Sequence, residues 1–161
     1  MTRQAVINAS PLIFLSRGHH LSLLEAVAER VLVPEPVVLE IRAKGADDLT
    51  VRALDTTSWL QPVPAPFLPD EIIEWGLGAG ESAVLALAKS IGGGEAIIDD
   101  LAARRCAAVL GIPVRGTLGI VLLAKKRGLI PAARPVLEDL IRGGLYLHES
   151  VLAEALRRVR E

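Results

Sequence analysis

Several polar side chains stand where an apolar run of this chain ends or begins. Asn8 closes Ala5-Val6-Ile7, and the paired acids Asp99 and Asp100 close Ala96-Ile97-Ile98. Glu40 lies in the early turns of the helical stretch after Val31-Leu32-Val33, and Glu81 opens an almost wholly apolar stretch reaching Lys89. A carboxylate at the head of an apolar helix needs water, the helix terminus or a cation as its partner. If the strands ending at Asn8 and Asp99 are neighbours, the two residues adjoin at the switch point of a parallel sheet, and Glu40 and Glu81 can converge on the same rim. Clustered carboxylates repel, so such a site calls for a proton or a bound cation. Hard oxygen ligands favour Mg²⁺ or Mn²⁺. Each residue also has a plainer use. Asp99 or Asp100 can cap the next helix, and Thr117 can do the same further on. Glu81 can favour the positive end of its own helix, Glu40 can face solvent, and Asn8 can bond to its own backbone in a turn.

The elements that must position these groups follow from periodicity. Glu95 to Pro131 reads as strand, helix, strand, helix: Ala96 to Ile98, then Leu101 to Leu110 stopped by Gly111, then Ile112 to Arg115, then Leu118 to Lys126, opened by Gly116-Thr117 and ended by Gly128. Alternation this compact implies a right-handed parallel crossover, which puts Asp99, Asp100, Gly116 and Thr117 on one rim. Upstream, Ser10-Pro11 reads as an N-cap and the first position of a helix that ends by Gly18. A second helix begins near Ser22, a third runs from Val37 to Lys44, and Asp47 to Leu54 is helical. Trp59 to Val63 is a strand fit only for a sheet edge, because it contains Pro62. Pro62 to Pro69 is a loop, Asp70 to Trp75 a single helical turn, and Glu81 to Lys89 a buried helix. Arg134 to Arg142 and Glu149 to Arg160 form two more helices.

A chain of 161 residues, 51% apolar, suits one α/β domain spanning 1–161 whose central strands are covered on both faces. No apolar run reaches the roughly 18 residues of a membrane span, and no signal peptide opens the chain. The single cysteine, Cys106, forms no internal disulfide and suits a reducing cytosol. Residues 1–100 carry seven Lys/Arg against fourteen Asp/Glu, whereas residues 101–161 carry eleven against five. An acidic metal site in one half and a phosphate- or partner-binding face in the other fit this asymmetry, as do ordinary solvated helix faces.

The stretches VINASPLIFL (6–15), VPEPVVLEI (33–41), GAGESAVLALA (78–88) and AIIDDLAARRCAAVLGIPVRGTLGIVLLAKKRGLI (96–130) together resemble the PIN-domain family of metal-dependent ribonucleases nearly end to end. The resemblance implies a three-layer α/β/α sandwich with a parallel sheet in the order 3-2-1-4-5. It also implies an acidic cluster holding Mg²⁺ or Mn²⁺ that activates water to cut RNA. By position, Asn8 matches the family's first acid, Glu40 the second, Glu81 the third and Asp99 the fourth, with Asp100 able to assist Asp99. Thr117 matches a polar position beside the metal. The implied metal ligands are Asn8, Glu81, Asp99 and Asp100, and Arg104, Arg105 and Arg115 are candidates for holding phosphates. Asn8 departs from the aspartate usual in the family; its carbonyl can ligate a hard cation but brings no charge. Many relatives are VapC-like toxins of toxin–antitoxin pairs, which dimerise and are silenced by a small cognate protein.

Other readings compete. A catalytically weak PIN-like binding or regulatory protein is favoured by Asn8. A dinucleotide enzyme is suggested only by Gly76-Leu77-Gly78-Ala79-Gly80, which lacks both the glycine spacing and a preceding strand. Aromatic residues are scarce, so recognition of RNA should rest on backbone and shape. The last helix carries Leu152, Ala155, Leu156 and Val159 at helical spacing with Arg157, Arg158 and Arg160 around them; it is expected to pack on its own sheet or to serve a homodimer or a small acidic partner.

Overall fold

The computed structural model describes residues 2–161. Five parallel strands form one sheet: β1 (Gln4–Ile7), β2 (Arg30–Pro34), β3 (Leu60–Val63), β4 (Glu95–Ile97) and β5 (Val114–Arg115), in the order β3-β2-β1-β4-β5. The helices are α1 (Ala9–Arg17), α2 (Glu35–Arg42), α3 (Leu49–Thr56), α4 (Asp70–Ile73), α5 (Ala79–Ser90), α6 (Leu101–Leu110), α7 (Thr117–Lys126), α8 (Ala133–Arg142) and α9 (Glu149–Arg158). They flank the sheet as the outer layers of an α/β/α sandwich. Parallel pairing demands both faces be covered, and the central strands obey: Ala5, Val6, Ile7, Val31, Val33, Ala96 and Ile97 are fully buried. α5 lies over β1, β2 and β4, and its neighbours α2, α4 and α6 extend that contact; α1 joins α7, α8 and a 3₁₀ segment, Leu21–Ala26. The prolines of β3 are tolerated because β3 is an edge strand, bonded only to β2.

Several boundaries differ from the sequence expectation. The first helix starts at Ala9 with Asn8, not Ser10, as its N-cap, so Pro11 sits within the first turn. The segment after Ser22 is 3₁₀ rather than α. Glu40 is the sixth residue of α2, past its first turn. β4 stops at Ile97, and the buried Ile98 carries the chain on to Asp99. The apolar stripe of α9 is spent inside the domain: Ala155, Leu156 and Val159 are buried and Leu152 packs on the same core. Arg157 and Arg158 lie against Glu154 on the exterior.

Glu161 caps α8 from outside that helix. Its Oε2 accepts from the Ala133 N–H at 2.6 Å and its Oε1 from the Arg134 N–H at 3.1 Å, with Lys125 Nζ 3.6 Å away. These N–H donors, the Ala133 one foremost, hold the carboxyl below the ordinary glutamate value of 4.5. The folded state therefore prefers the ionised form, and the stabilisation is complete above 4.5 and lost as pH falls through the lower folded value. Glu161→Gln is expected to lower the thermal midpoint at neutral pH, and the gap from wild type should close in acid. Melts across that range check this; a gap independent of pH would refute it.

Candidate active site at the carboxyl edge of the sheet

Three helices begin at one edge of the sheet, and each brings a polar residue to it. Asn8, between β1 and α1, is 3% exposed, and its backbone N–H is bound by the Ile97 carbonyl at 3.0 Å, which fixes it beside the end of β4. Its side chain does not cap α1. Nδ2 instead donates to Glu81 Oε1 at 3.3 Å, while Oδ1 is buried without a hydrogen-bond partner. An orphaned buried acceptor is costly, of order 1–3 kcal/mol, and such an atom calls for a donor or a cation.

Glu81 lies in the first turn of α5, where the positive helix end favours a carboxylate. It is brought there by two glycines. A Cβ on Gly78 would stand 2.5 Å from Glu81 Oε2, and one on Gly80 would stand 3.0 Å from Asn8 Oδ1 and 3.4 Å from Glu40 Oε2. Side chains at these positions would fill the space in which Asn8, Glu40 and Glu81 meet. Both glycines open α5, and no strand precedes them, which removes the dinucleotide-loop reading. Glu40 reaches the group from α2 but is solvent-exposed.

Asp99 is oriented by Thr117. Its Oδ1 accepts the Thr117 N–H at 2.7 Å and its Oδ2 accepts the Thr117 hydroxyl at 2.6 Å. Thr117 is completely buried as the first residue of α7, whose N-cap is Gly116. Asp99 thus receives the positive end of α7 as Glu81 does that of α5. A Cβ on Gly116 would stand 2.6 Å from Arg104 Nη1 and 3.0 Å from Asp99 Oδ1, so this glycine lets the guanidinium and the carboxylate share one spot.

Two expected participants are placed elsewhere. Asp100 is exposed and caps α6, accepting the Ala103 N–H at 2.9 Å, so its carboxylate is committed to the helix start instead of the cluster. Arg115 turns away from this edge, its Nε 2.7 Å from Glu95 Oε1 at the start of β4. Arg105 is exposed on α6. Among the described residues no three His, Cys, Asp or Glu side chains gather closely enough to hold a metal by themselves. The cluster sets the neutral amide of Asn8 against Glu81, with Glu40 close by on the exposed side and Asp99 tied to Thr117.

Sheet order, helix pattern and the polar rim point one way, and a profile of the PIN domain matches residues 4–161. The chain belongs to the PIN-domain family. No curated protein matches it. PIN domains are in general nucleases and typically use divalent metals. The residues present suit such an ion: Asn8 Oδ1 is a buried oxygen lacking any partner, and Glu81 and Asp99 are hard oxygen donors held at helix N-termini. The sequence places Gly116 on the rim and reads Gly78 and Gly80 only as a weak dinucleotide-loop signal; the room these three glycines leave for the polar side chains is seen only in the structure. Their signal lay in GAGE and GTLG, where a glycine directly precedes or neighbours the polar residue it makes room for.

Proposed function

We propose that this PIN domain is a Mg²⁺- or Mn²⁺-dependent endoribonuclease, acting as the toxin of a toxin–antitoxin pair. The observation that carries the nuclease reading is the partnerless Asn8 Oδ1, buried at the sheet's switch point between Glu81 and Glu40. Asn8, Glu81 and Asp99 would hold the ion, which when bound supplies a polarised water and neutralises charge on the phosphodiester. Thr117 keeps Asp99 in one orientation, as groups behind a metal ligand commonly do. Glu40, at the exposed mouth, would take a proton from the attacking water as its oxygen bonds to phosphorus, while the P–O bond to the leaving ribose oxygen breaks and that oxygen takes a proton from solvent. Arg104 meets a phosphate of the RNA at the same rim, where the N-termini of α1, α5 and α7 also favour negative charge. A homodimer and a small antitoxin protein are the partners this role requires, with the basic second half as the face they use.

The Asn8–Glu81 hydrogen bond favours one other reading. It closes the cluster without a cation, as a PIN fold retained for binding or regulation would. The two are separated by incubating the protein with single-stranded RNA in Mn²⁺, in Mg²⁺ and in EDTA, with thermal melts alongside. A nuclease shows a Mn²⁺-dependent rise in thermal midpoint and cleavage that EDTA abolishes. A protein whose midpoint ignores Mn²⁺ and which leaves RNA intact is the binding module.

A further inference from the structure

The opposite edge of the sheet holds a cavity of about 440 Å³, between the starts of β1 and β4 and the far end of α7. Its charged lining is Arg3, Arg115 and Arg127 against a single acid, Glu95. Arg115 and Glu95 are an ion pair by distance, yet the buried Arg115 Nε has no aligned acceptor. Arg127 spends one Nη1 donor on the Ala26 carbonyl and keeps its others. Arg3 forms no ion pair among the described residues. The cavity therefore carries a surplus of two positive charges in a concave site, where field strength exceeds that of an open surface.

The chain lines the same space with Gly92, Gly93 and Gly94. Gly92 and Gly93 have φ of 59° and 74°, a conformation that side chains resist, and a Cβ on either would touch nothing. None of the three glycine N–H groups donates to a backbone or side-chain acceptor among the described residues. Backbone N–H groups exposed by left-handed turns, set beside guanidinium forks, are the donors that phosphate oxygens take. Val27 and Leu123 supply apolar wall, and the volume exceeds what an inorganic anion fills and falls in the range of small-molecule sites.

We propose that this cavity binds a phosphate monoester of nucleotide size, its dianion held by Arg3, Arg115, Arg127 and the glycine N–H groups, at a site separate from the Asn8 edge. Calorimetry on the full chain with AMP, ribose 5-phosphate, inorganic phosphate and adenosine tests it, with metal omitted. AMP and ribose 5-phosphate should bind and adenosine should not. Arg3→Glu, an exposed change with no packing cost, and Arg127→Gln should each weaken AMP at least about tenfold, the loss expected for a charge-assisted contact. Asp99→Asn, at the other edge, should bind AMP as wild type does. The proposal is overturned if adenosine matches AMP, if inorganic phosphate binds as tightly as AMP, or if both arginine variants bind normally. It is likewise overturned if AMP binding disappears in Asp99→Asn, which would place the phosphate at the candidate active site.

Discussion

Asn8→Asp is expected to destabilise the metal-free protein by several kcal/mol and to make its stability depend on Mn²⁺. The amide now donates to Glu81 at 3.3 Å from a nearly buried position. A carboxylate there would lose that hydrogen bond and face a like charge. At this separation and an effective dielectric near ~20 the repulsion is about 5 kcal/mol, before relaxation or uptake of a proton reduces it. A bound divalent ion reverses the sign, because both carboxylates then attract it. Binding to the folded state alone adds stability as RT ln(1 + [L]/Kd), about 2.7 kcal/mol at a hundredfold excess over Kd. Urea unfolding with and without Mn²⁺ should show the variant below wild type in EDTA and recovering more than wild type does in Mn²⁺, with RNA cleavage equal or faster. A variant as stable as wild type in EDTA would mean that Asn8 and Glu81 do not face each other as described.

Asp99→Ala should cost about 2–6 kcal/mol, because it strips the acceptor from two groups of Thr117 that lie out of reach of water. Each buried donor left without a partner is worth about 1–3 kcal/mol. RNA cleavage, where present in wild type, should fall by roughly 10²–10³. Stability and catalysis are separated by Thr117→Val, which keeps the N–H bond to Asp99 Oδ1 and removes only the hydroxyl. That variant should fold, yet bind Mn²⁺ about 10–100-fold more weakly, as loss of a group behind a ligand does. Unchanged Mn²⁺ affinity in Thr117→Val and in Asp99→Asn would remove Asp99 from the ligand set.

That the sheet is parallel was legible because βαβ alternation and buried-strand runs leave few topologies, while its order followed from the resemblance to the PIN-domain family. Asn8, Glu81 and Asp99 stood out for a related reason: each interrupts apolar sequence at the start or end of an element, and the structure brings all three to the edge expected. What failed was whatever depended on side-chain direction. Asp99 and Asp100 are adjacent and chemically alike, and only the geometry of α6 decides that Asp100 becomes the cap. Arg115 is the last residue of the strand that should aim it at the rim, but Glu95 on the neighbouring strand draws its guanidinium to the other edge. Glu40 does reach the group near Gly80 although it lies later in α2 than its spacing suggested. The stripe on α9 could not be assigned between core and partner because both produce the same periodicity, and burial alone separates them.

The position of β1 between β2 and β4 has a consequence for synthesis. Ala5 pairs with Glu95, and Asn8 meets Glu81 across 73 residues of sequence. At translation rates of about 5–20 residues per second, the first strand waits roughly 5–20 s for its second neighbour. Until then it has β2 alone, and the edge that will later carry Glu81 and Asp99 is bare. Closure of such distant contacts is slow in folding terms and comes late. The polar rim is therefore among the last features to exist: a nascent chain that ends before Thr117 has Asn8, Glu81 and Asp99 but lacks the two donors that orient Asp99.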